Sequence, residues 1–137
     1  MPSPPDLVEF AALRDGGDAR GDSFAPENSW GGFLKGVEDF HVMTVLPGNV
    51  RGNHYHTRRR EILIVMYRGC WSFHWDSGEG QSPQRREFEG RGAVLIRISP
   101  GASHAVRNSG SEELYIAALA DGRFDPAAPD SIPRKVV

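Results

Sequence analysis

Short apolar runs that end at glycine, proline or asparagine restrict the fold of this 137-residue chain more than any other feature. Residues 61–67 form a nearly continuous apolar run, which is typical of a strand buried on both faces. Residues 70–76 alternate, with Trp71, Phe73 and Trp75 on one face, which is the period of a strand with one buried face. No segment keeps a helical period. Many short strands at regular spacing predict an all-β barrel or jelly roll.

Further strand patterns fill most of the remaining chain, of which 93–98 is predicted as a central strand and 113–119 as a strong one. They predict strands at residues 7–13, 40–46, 85–89, 93–98 and 113–119. We expect 40–46 to be a core strand and the charged 85–89 to be a sheet edge. We interpret the aromatic segment 26–36 as a loop or short strand that covers one sheet. We expect residues 1–137 to form one domain, with residues 1–5 loose and residues 125–137 wrapped over the surface.

Charge and cysteine content exclude several classes of protein. The formal net charge is −2 and the isoelectric point is about 6.2, so nothing favours binding to nucleic acid or to a membrane surface. Cys70 is the only cysteine, which rules out a disulfide within the chain and fits a reducing compartment. The first residues lack the basic and apolar regions of a secretory signal, and no apolar run has the length of a membrane span. We therefore expect a cytoplasmic protein.

Four residues in two distant segments form a candidate metal site. His54 and His56 alternate along one strand, so their side chains emerge on the same face. Glu61 follows a basic turn and can add a carboxylate from the next strand, and His104 follows a Pro-Gly turn far along the chain. Three imidazoles and one carboxylate suit zinc, iron, nickel, manganese or copper better than calcium or magnesium.

The joint pattern of these segments resembles the cupin superfamily. Its first motif, a glycine followed by His-x-His and then glutamate, is matched by Gly48, His54, His56 and Glu61, and its second motif is matched by Gly101, His104 and Asn108. Gly69 comes one residue late after the glutamate, and Pro100 directly precedes Gly101, but neither departure involves a ligand. The resemblance implies a double-stranded β-helix, the jelly-roll barrel of cupins, with the four ligands inside its mouth.

A narrower resemblance is to the C-terminal cupin domain of capsular polysaccharide assembling proteins. It rests on the stretch Pro-Gly-x-x-x-Gly-Asn-His-Tyr-His at residues 47–56 and on Phe-Asp-Pro-x-x-Pro-Asp at residues 124–130. An early Asp-x-Arg-Gly stretch at residues 18–21 is also similar. These proteins are two-domain enzymes that convert UDP-linked deoxy amino sugars. The resemblance covers roughly residues 18–130.

Two departures limit what this resemblance implies. The family's N-terminal reductase domain has no counterpart in the sequence, so we expect no NADPH-dependent reduction. A lysine that follows the motif glutamate in that family is Ile62 here. The metal-free nucleotide-sugar 3,4-ketoisomerases share a similar His-x-His stretch but usually lack the glutamate and the second-motif histidine. Because Glu61 and His104 are both present here, the sequence favours a metal site.

The resemblance implies an isomerase or epimerase that acts on a nucleotide-linked keto sugar in surface polysaccharide biosynthesis. A divalent transition metal held by the four ligands would polarise the keto oxygen, and zinc is the expected ion, with iron, nickel or manganese as alternatives. The candidate bases are His41, Tyr55 and Tyr67. Two other functions stay open, namely an iron-dependent dioxygenase-type cupin and a non-catalytic cupin that binds a small molecule.

Cupins commonly form dimers, and we expect a homodimer. Trp30, Phe33 and the strand at residues 113–119 are candidates for its apolar contacts. The sequence contains no glycine-rich phosphate loop, nucleophile elbow or internal repeat, so it predicts no organic cofactor.

Overall fold

The chain folds into antiparallel strands in a computed structural model that describes residues 6–27 and 30–137. None of the described residues lies in a helix, and hence none belongs to a helix long and apolar enough to cross a membrane. In chain order the strands are β1 (Val8–Asp15), β2 (Phe24–Pro26), β3 (Asp39–Val45), β4 (Val50–His56), β5 (Glu61–Arg68), β6 (Trp71–Trp75), β7 (Gln84–Phe88), β8 (Arg91–Ile98), β9 (His104–Asn108), β10 (Leu114–Ala120) and β11 (Ser131–Pro133).

These strands form two sheets that enclose the core. One sheet has six strands in the order β2-β1-β8-β5-β10-β3, and the other has five in the order β11-β4-β9-β6-β7. Every pairing is antiparallel. Apart from β1–β2 and β6–β7, neighbouring strands are not consecutive in sequence, so the chain crosses repeatedly from one sheet to the other, as in a jelly roll. The all-β prediction is confirmed. The expectation for residues 1–5 lies outside the described residues.

The aromatic face of β6 is the centre of the core. Trp71 and Phe73 are at most 1% exposed, and Phe73 packs edge-on against Phe10, with 5.8 Å between ring centroids. Trp71 stacks on Phe88 at 4.3 Å. Burial of a large apolar side chain contributes about 1.5–3 kcal/mol, so this face stabilises the contact between the sheets. The alternation in residues 70–76 predicted the aromatic face correctly, but the expectation that only one face is buried is wrong, because Ser72 and His74 are 7% and 6% exposed.

A second apolar layer covers the outer face of the six-stranded sheet. Ile62 of β5 and Leu95 of β8 face outward and are nearly inaccessible, because Leu34, Trp30 and Phe33 pack over them. This explains why residues 61–67 have no polar alternation. It also supports the interpretation of residues 26–36 as a covering segment, of which Asn28 and Ser29 lie outside the described part.

The burial predicted for residues 40–46 holds for Val45, which is 1% exposed, and is wrong for the outer face of the strand. The strand is present as β3, but it is the last strand of its sheet, and Phe40 and Val42 are 66% and 77% exposed. Their side chains point away from the barrel, where the covering segment does not reach. His41 and Met43, on the opposite face of β3, line the interior cavity. The predicted edge strand at residues 85–89 is confirmed as β7.

Candidate functional site

The site begins with the pairing of β4 and β9, which places His54 opposite His104. The register of this pair shifts between Gly52 and His54, at a β-bulge where Asn53 has a φ of 62°. A bulge re-aims the side chains that follow it. Here the bulge lies directly before His54, and His54 and His56 both face the interior. The second motif contributes His104 as the first residue of β9.

The three imidazoles form a compact cluster. One ring nitrogen from each of His54, His56 and His104 can lie within 4.8 Å of the others. The ring centroid of His54 lies 5.2 Å from that of His56 and 5.0 Å from that of His104. His56 and His104 are 4% and 3% exposed. The structure therefore brings together all three histidines that the sequence predicted as ligands.

Glu61 reaches the cluster from the opposite sheet, as the first residue of β5. Its Oε1 lies 3.2 Å from Nε2 of His104, and its Oε2 lies 3.3 Å from Nε2 of His56. Burial alone would raise the pKa of Glu61, but the contacts with His104 and His56 outweigh it and hold the pKa far below its usual range. The carboxylate is therefore ionised at neutral pH.

The contact between Glu61 and His104 tests whether a cation fits. Nδ1 of His104 donates to the carbonyl oxygen of Ala102 at 3.0 Å, so Nε2 is the nitrogen that faces Glu61, at 3.2 Å. A proton on Nε2 makes this contact the hydrogen bond that lowers the pKa of Glu61, whereas without it two acceptors would face each other and repel. A metal ion can take the place of that proton. A ring nitrogen held by a backbone carbonyl is also the usual arrangement behind a metal-ligating histidine, so the residues fit a metal ion.

His56 has a different hydrogen-bond arrangement. Nε of Arg59 donates to its Nδ1 at 3.3 Å, so the proton of the neutral ring resides on Nε2. Nε2 is buried and has no hydrogen-bond partner in the described structure. Oε2 of Glu61 lies 3.3 Å away, but the contact does not have the geometry of a hydrogen bond. A metal bound at this nitrogen would move the ring proton to Nδ1 and displace Arg59. His54 and His104 are thus ready ligands, whereas His56 becomes one only when Arg59 moves.

His54 is held in its neutral form. Burial lowers its pKa to about 4, and the neighbouring His104 and His56 add to the effect. Neutral imidazole is the form that binds metals, so this ring is available as a ligand at neutral pH.

The turn between His56 and Glu61 is held by Asp130, which the sequence analysis did not single out as a site residue. Its Oδ1 accepts hydrogen bonds from the backbone nitrogens of Thr57 at 2.9 Å and Arg58 at 2.8 Å, and its Oδ2 accepts one from Arg59 at 3.0 Å. The hydroxyl of Thr57 donates to the same carboxylate. Burial would raise the pKa of Asp130, but these hydrogen bonds lower it overall. The sequence offered one indication of this role, because Asp130 is the last residue of the 124–130 stretch that carries the narrower resemblance.

A cavity of about 510 Å³ opens above the cluster. Its walls combine apolar side chains, such as Leu63 and Ile116, with the charged side chains of Arg51, Arg59 and Glu61. The other residues that line it are His41, Met43, Val50, Gly52, His54, His56, His104, Val106, Ala118, Ala120, Phe124 and Ser131. This volume lies within the usual range for small-molecule sites, about 300–1,000 Å³.

Of the three candidate bases, only His41 reaches this cavity. Tyr55 lies between His54 and His56 on β4 and therefore points to the opposite face, where the guanidinium of Arg134 lies 4.2 Å from its ring centroid. Tyr67 packs in the core, 5.5 Å from the ring centroid of Trp71. The structure does not bring either tyrosine to the histidine cluster.

The comparisons with known proteins agree with this architecture. Residues 33–132 match the family described as the polysaccharide biosynthesis C-terminal domain. A curated relative is the UDP-2-acetamido-2,6-β-L-arabino-hexul-4-ose reductase of Pseudomonas aeruginosa, which is 27% identical over 92 residues. That match covers 67% of this chain but only 24% of the reductase.

Two solved structures are similar in fold. The capsular polysaccharide assembling protein CapF from Staphylococcus aureus superposes with a TM-score of 0.65 at 20% identity, over 90% of this chain and 34% of CapF. A variant of the 3,4-ketoisomerase QdtA from Thermoanaerobacterium thermosaccharolyticum, in complex with TDP-4-keto-6-deoxyglucose, superposes with a TM-score of 0.67 at 17% identity. It covers 92% of this chain and 86% of QdtA. The predicted jelly-roll cupin fold is confirmed.

Proposed function

The chain belongs to the family of polysaccharide biosynthesis C-terminal domains, and from that premise we propose that it is an isomerase or epimerase of a nucleotide-linked keto sugar. The observation that carries this proposal is the cavity in which an ionised carboxylate, three imidazoles and a separate histidine, His41, lie around one space. Such a site suits the removal and return of a proton on the carbon beside a carbonyl. QdtA and CapF, which share the fold, are a 3,4-ketoisomerase and a capsular polysaccharide assembling protein.

We propose His54, His56, His104 and Glu61 as the ligands of a divalent transition metal. Four protein ligands would leave room for a substrate only on a five- or six-coordinate ion, because a tetrahedral zinc would be closed by them. Imidazole and carboxylate ligands suit zinc, which we favour over iron, nickel or manganese, and the carboxylate would offset part of its charge. When bound, the ion would supply Lewis-acid polarisation of the keto oxygen.

His41 is the proposed base. It lines the cavity from β3, on the face that also presents Met43. In the proposed step His41 takes the proton from the carbon beside the carbonyl, and the electron pair of the broken C–H bond forms the carbon–carbon double bond of an enediolate. The carbonyl oxygen takes up the charge. Return of a proton to the opposite face of the same carbon gives an epimer. Return of the proton to the former carbonyl carbon, with the hydroxyl proton of the neighbouring carbon passing to the former carbonyl oxygen, gives the isomeric ketone. Neither outcome consumes an oxidant or a reductant.

The walls of the cavity support a nucleotide-linked substrate. Arg51 and Arg59 supply positive charge, and Arg51 is oriented by a hydrogen bond from its Nε to the carbonyl oxygen of Thr44 at 2.7 Å. A diphosphate carries negative charge that guanidinium groups bind well. The apolar surface of Leu63, Val106 and Ile116 suits a deoxy sugar, which has fewer hydroxyl groups.

Deuterium incorporation tests the reaction. The metal-loaded protein is incubated in D2O with UDP- and dTDP-linked 4-keto-6-deoxy sugars, and the products are read by NMR. We expect deuterium at the carbon beside the carbonyl, and a loss of roughly 100-fold or more in rate for His41→Gln. Tyr67→Phe is the matched control, because Tyr67 packs against Trp71 and does not line the cavity, and it should keep the rate. If no sugar gains deuterium with the unaltered protein, the isomerase and epimerase proposals are both wrong.

A homodimer is also proposed, with a different surface from the one that the sequence predicted. Trp30 and Phe33 pack on this chain's own sheet, whereas Phe40 and Val42 on β3 are exposed. Exposed apolar side chains on a terminal strand favour pairing with another strand or sheet. Sedimentation equilibrium should give a dimer for the unaltered protein and a monomer for Val42→Glu. A monomer in both cases would contradict this proposal.

A further inference from the structure

We propose that Phe124 is a stacking platform for the nucleobase of a bound nucleotide. The inference rests on the proposed function, and it adds a binding subsite and a ligand class to the same cavity. Phe124 begins the 124–130 stretch, but it belongs neither to the histidine cluster nor to the two cupin motifs that supply the histidines.

The exposure of Phe124 is the first observation. The ring is 60% exposed, although it lines the same cavity as the histidines and Arg59. Other aromatic side chains that face the interior, such as Phe73 and Trp71, are almost completely buried. An aromatic side chain left open to solvent at the rim of a cavity offers a flat apolar surface to a planar ligand.

The segment that carries Phe124 is fixed at both ends, which is the second observation. At one end, Oδ1 of Asp121 accepts a hydrogen bond from the backbone nitrogen of Arg60 at 2.8 Å, and the backbone nitrogen of Asp121 donates to the carbonyl oxygen of Arg60 at 3.2 Å. At the other end, Asp130 holds the backbone of residues 57–59. The ring is therefore presented from a segment anchored to the turn between His56 and Glu61.

Close packing at Gly122 supports this placement. A Cβ added at Gly122 would lie 3.1 Å from the Cβ of Arg59, so the backbone just before Phe124 lies directly against that arginine. The backbone just after Phe124 is also held, because Oδ1 of Asp125 accepts a hydrogen bond from the backbone nitrogen of Ala127 at 2.9 Å. A preorganised ring loses little freedom when a ligand stacks on it, and stacking of this kind tolerates any base.

The kinds of group that line the cavity identify the ligand. The histidine cluster includes His56 and His104, which are buried, whereas Phe124 is exposed. Arg59 lies between them, since its Nε donates to Nδ1 of His56 and its Cβ lies against the backbone at Gly122. A nucleoside diphosphate sugar offers a matching partner for each, a polar sugar, a charged diphosphate and a planar base. We therefore assign the base to Phe124.

Titration with UDP, dTDP and inorganic pyrophosphate tests the assignment on the metal-loaded chain. Because stacking of one base is worth about 1–3 kcal/mol, Phe124→Ala should weaken the binding of UDP and dTDP roughly 5- to 150-fold. Phe124→Trp should bind both nucleotides at least as tightly as the unaltered protein. Pyrophosphate, which has no base, should bind equally well to all three. Tyr115→Ala is the matched control, because Tyr115 is 50% exposed but does not line the cavity.

Each result separates this inference from the function on which it rests. Unchanged nucleotide affinity in Phe124→Ala would overturn the inference and leave the proposed function intact. An equal loss of pyrophosphate binding would also overturn it, because Phe124 would then act by shaping the cavity. If the unaltered protein bound neither nucleotide, the inference and the nucleotide part of the proposed function would both be wrong.

Discussion

Gly52 on β4 lies so close to the carbonyl oxygen of His104 on β9 that no side chain fits between the two strands. A Cβ added at Gly52 would also lie 2.8 Å from the Cα of Ala105. Gly52 has a φ of 115°, which disfavours any residue with a side chain. The separation of the ligand-bearing strands is therefore set by a glycine two residues before the first ligand, His54.

Gly52→Ala should both destabilise the protein and weaken the metal site. The added methyl group forces β4 and β9 apart, and overpacking of this kind costs about 1–3 kcal/mol in addition to the backbone strain. Since His54 and His104 face each other across this pair, their spacing should change as well. Urea unfolding and zinc titration measure the two effects.

Gly48→Ala is the matched control for that experiment. Gly48 also has a positive φ, of 80°, but nothing lies within 4 Å of an added Cβ. It should lose stability through backbone strain and keep its zinc affinity. An equal loss of zinc affinity in both variants would contradict the role assigned to Gly52.

Arg59→Met should tighten zinc binding roughly tenfold or more. The change removes a positive charge beside the cluster and removes the donor that keeps Nδ1 of His56 without a proton. Arg58→Met, on the same turn, is the control, because the Arg58 side chain is 68% exposed and makes no hydrogen bond to His56. Competition with a chelator measures the affinity. Weaker binding in Arg59→Met would mean that Arg59 supports the ligand rather than competing with the ion.

Asp130→Asn should lower stability by about 1.5–3 kcal/mol at neutral pH, because hydrogen bonds to a charged acceptor are strong. The pKa of Asp130 is lowered in the folded protein, so its contribution is present above the unfolded value of about 3.9 and is lost as the pH falls through the folded value. The difference between the two proteins should therefore shrink in acid. Urea unfolding across the acid range measures it.

Asp125→Asn serves as the control for Asp130, because the side chain of Asp125 accepts one local hydrogen bond and lies in an exposed position. It should change stability by less than about 0.5 kcal/mol. A constant difference between Asp130→Asn and the unaltered protein at all pH values would contradict the assignment of a charged acceptor.

Asn53 joins the bulge in β4 to the C-terminal segment. Its Oδ1 accepts hydrogen bonds from the nitrogens of Val136 at 2.8 Å and Val137 at 3.1 Å, and its φ of 62° is left-handed. Asn53→Ala should cost about 2–3 kcal/mol, from lost hydrogen bonds and added strain. Asn53→Gly removes the strain and should cost about 1 kcal/mol less. Equal losses in the two variants, measured by thermal unfolding, would mean that the backbone conformation contributes nothing.

The sequence predicted the parts of the site that depend on strand periodicity and motif spacing. His54 and His56 share a face because strand side chains alternate, and His104 was found through its Pro-Gly turn and the cupin pattern. The aromatic face of residues 70–76 was predicted for the same reason, whereas the burial of Ser72 and His74 was not, because alternating polar side chains indicate an exposed face.

The residues that sequence reasoning missed act through long-range contacts. Asp130 holds a turn that lies more than 70 residues earlier, and no local pattern indicates such a contact. Tyr55 was proposed as a base although alternation places it opposite the two histidines. The exposure of Phe40 and Val42 depends on which strand ends the sheet, and strand order cannot be read from residues 40–46 alone.

Metal content measured by plasma mass spectrometry tests the central claim most directly. The proteins are the untagged chain, a variant with His54→Ala and His56→Ala, and His41→Ala as the control that lies in the cavity but outside the cluster. We predict near-stoichiometric zinc in the unaltered protein and in His41→Ala, and none in the double variant. Near-stoichiometric iron would instead favour a dioxygenase-type cupin. Absence of any bound metal from the unaltered protein, even after reconstitution, would contradict the account.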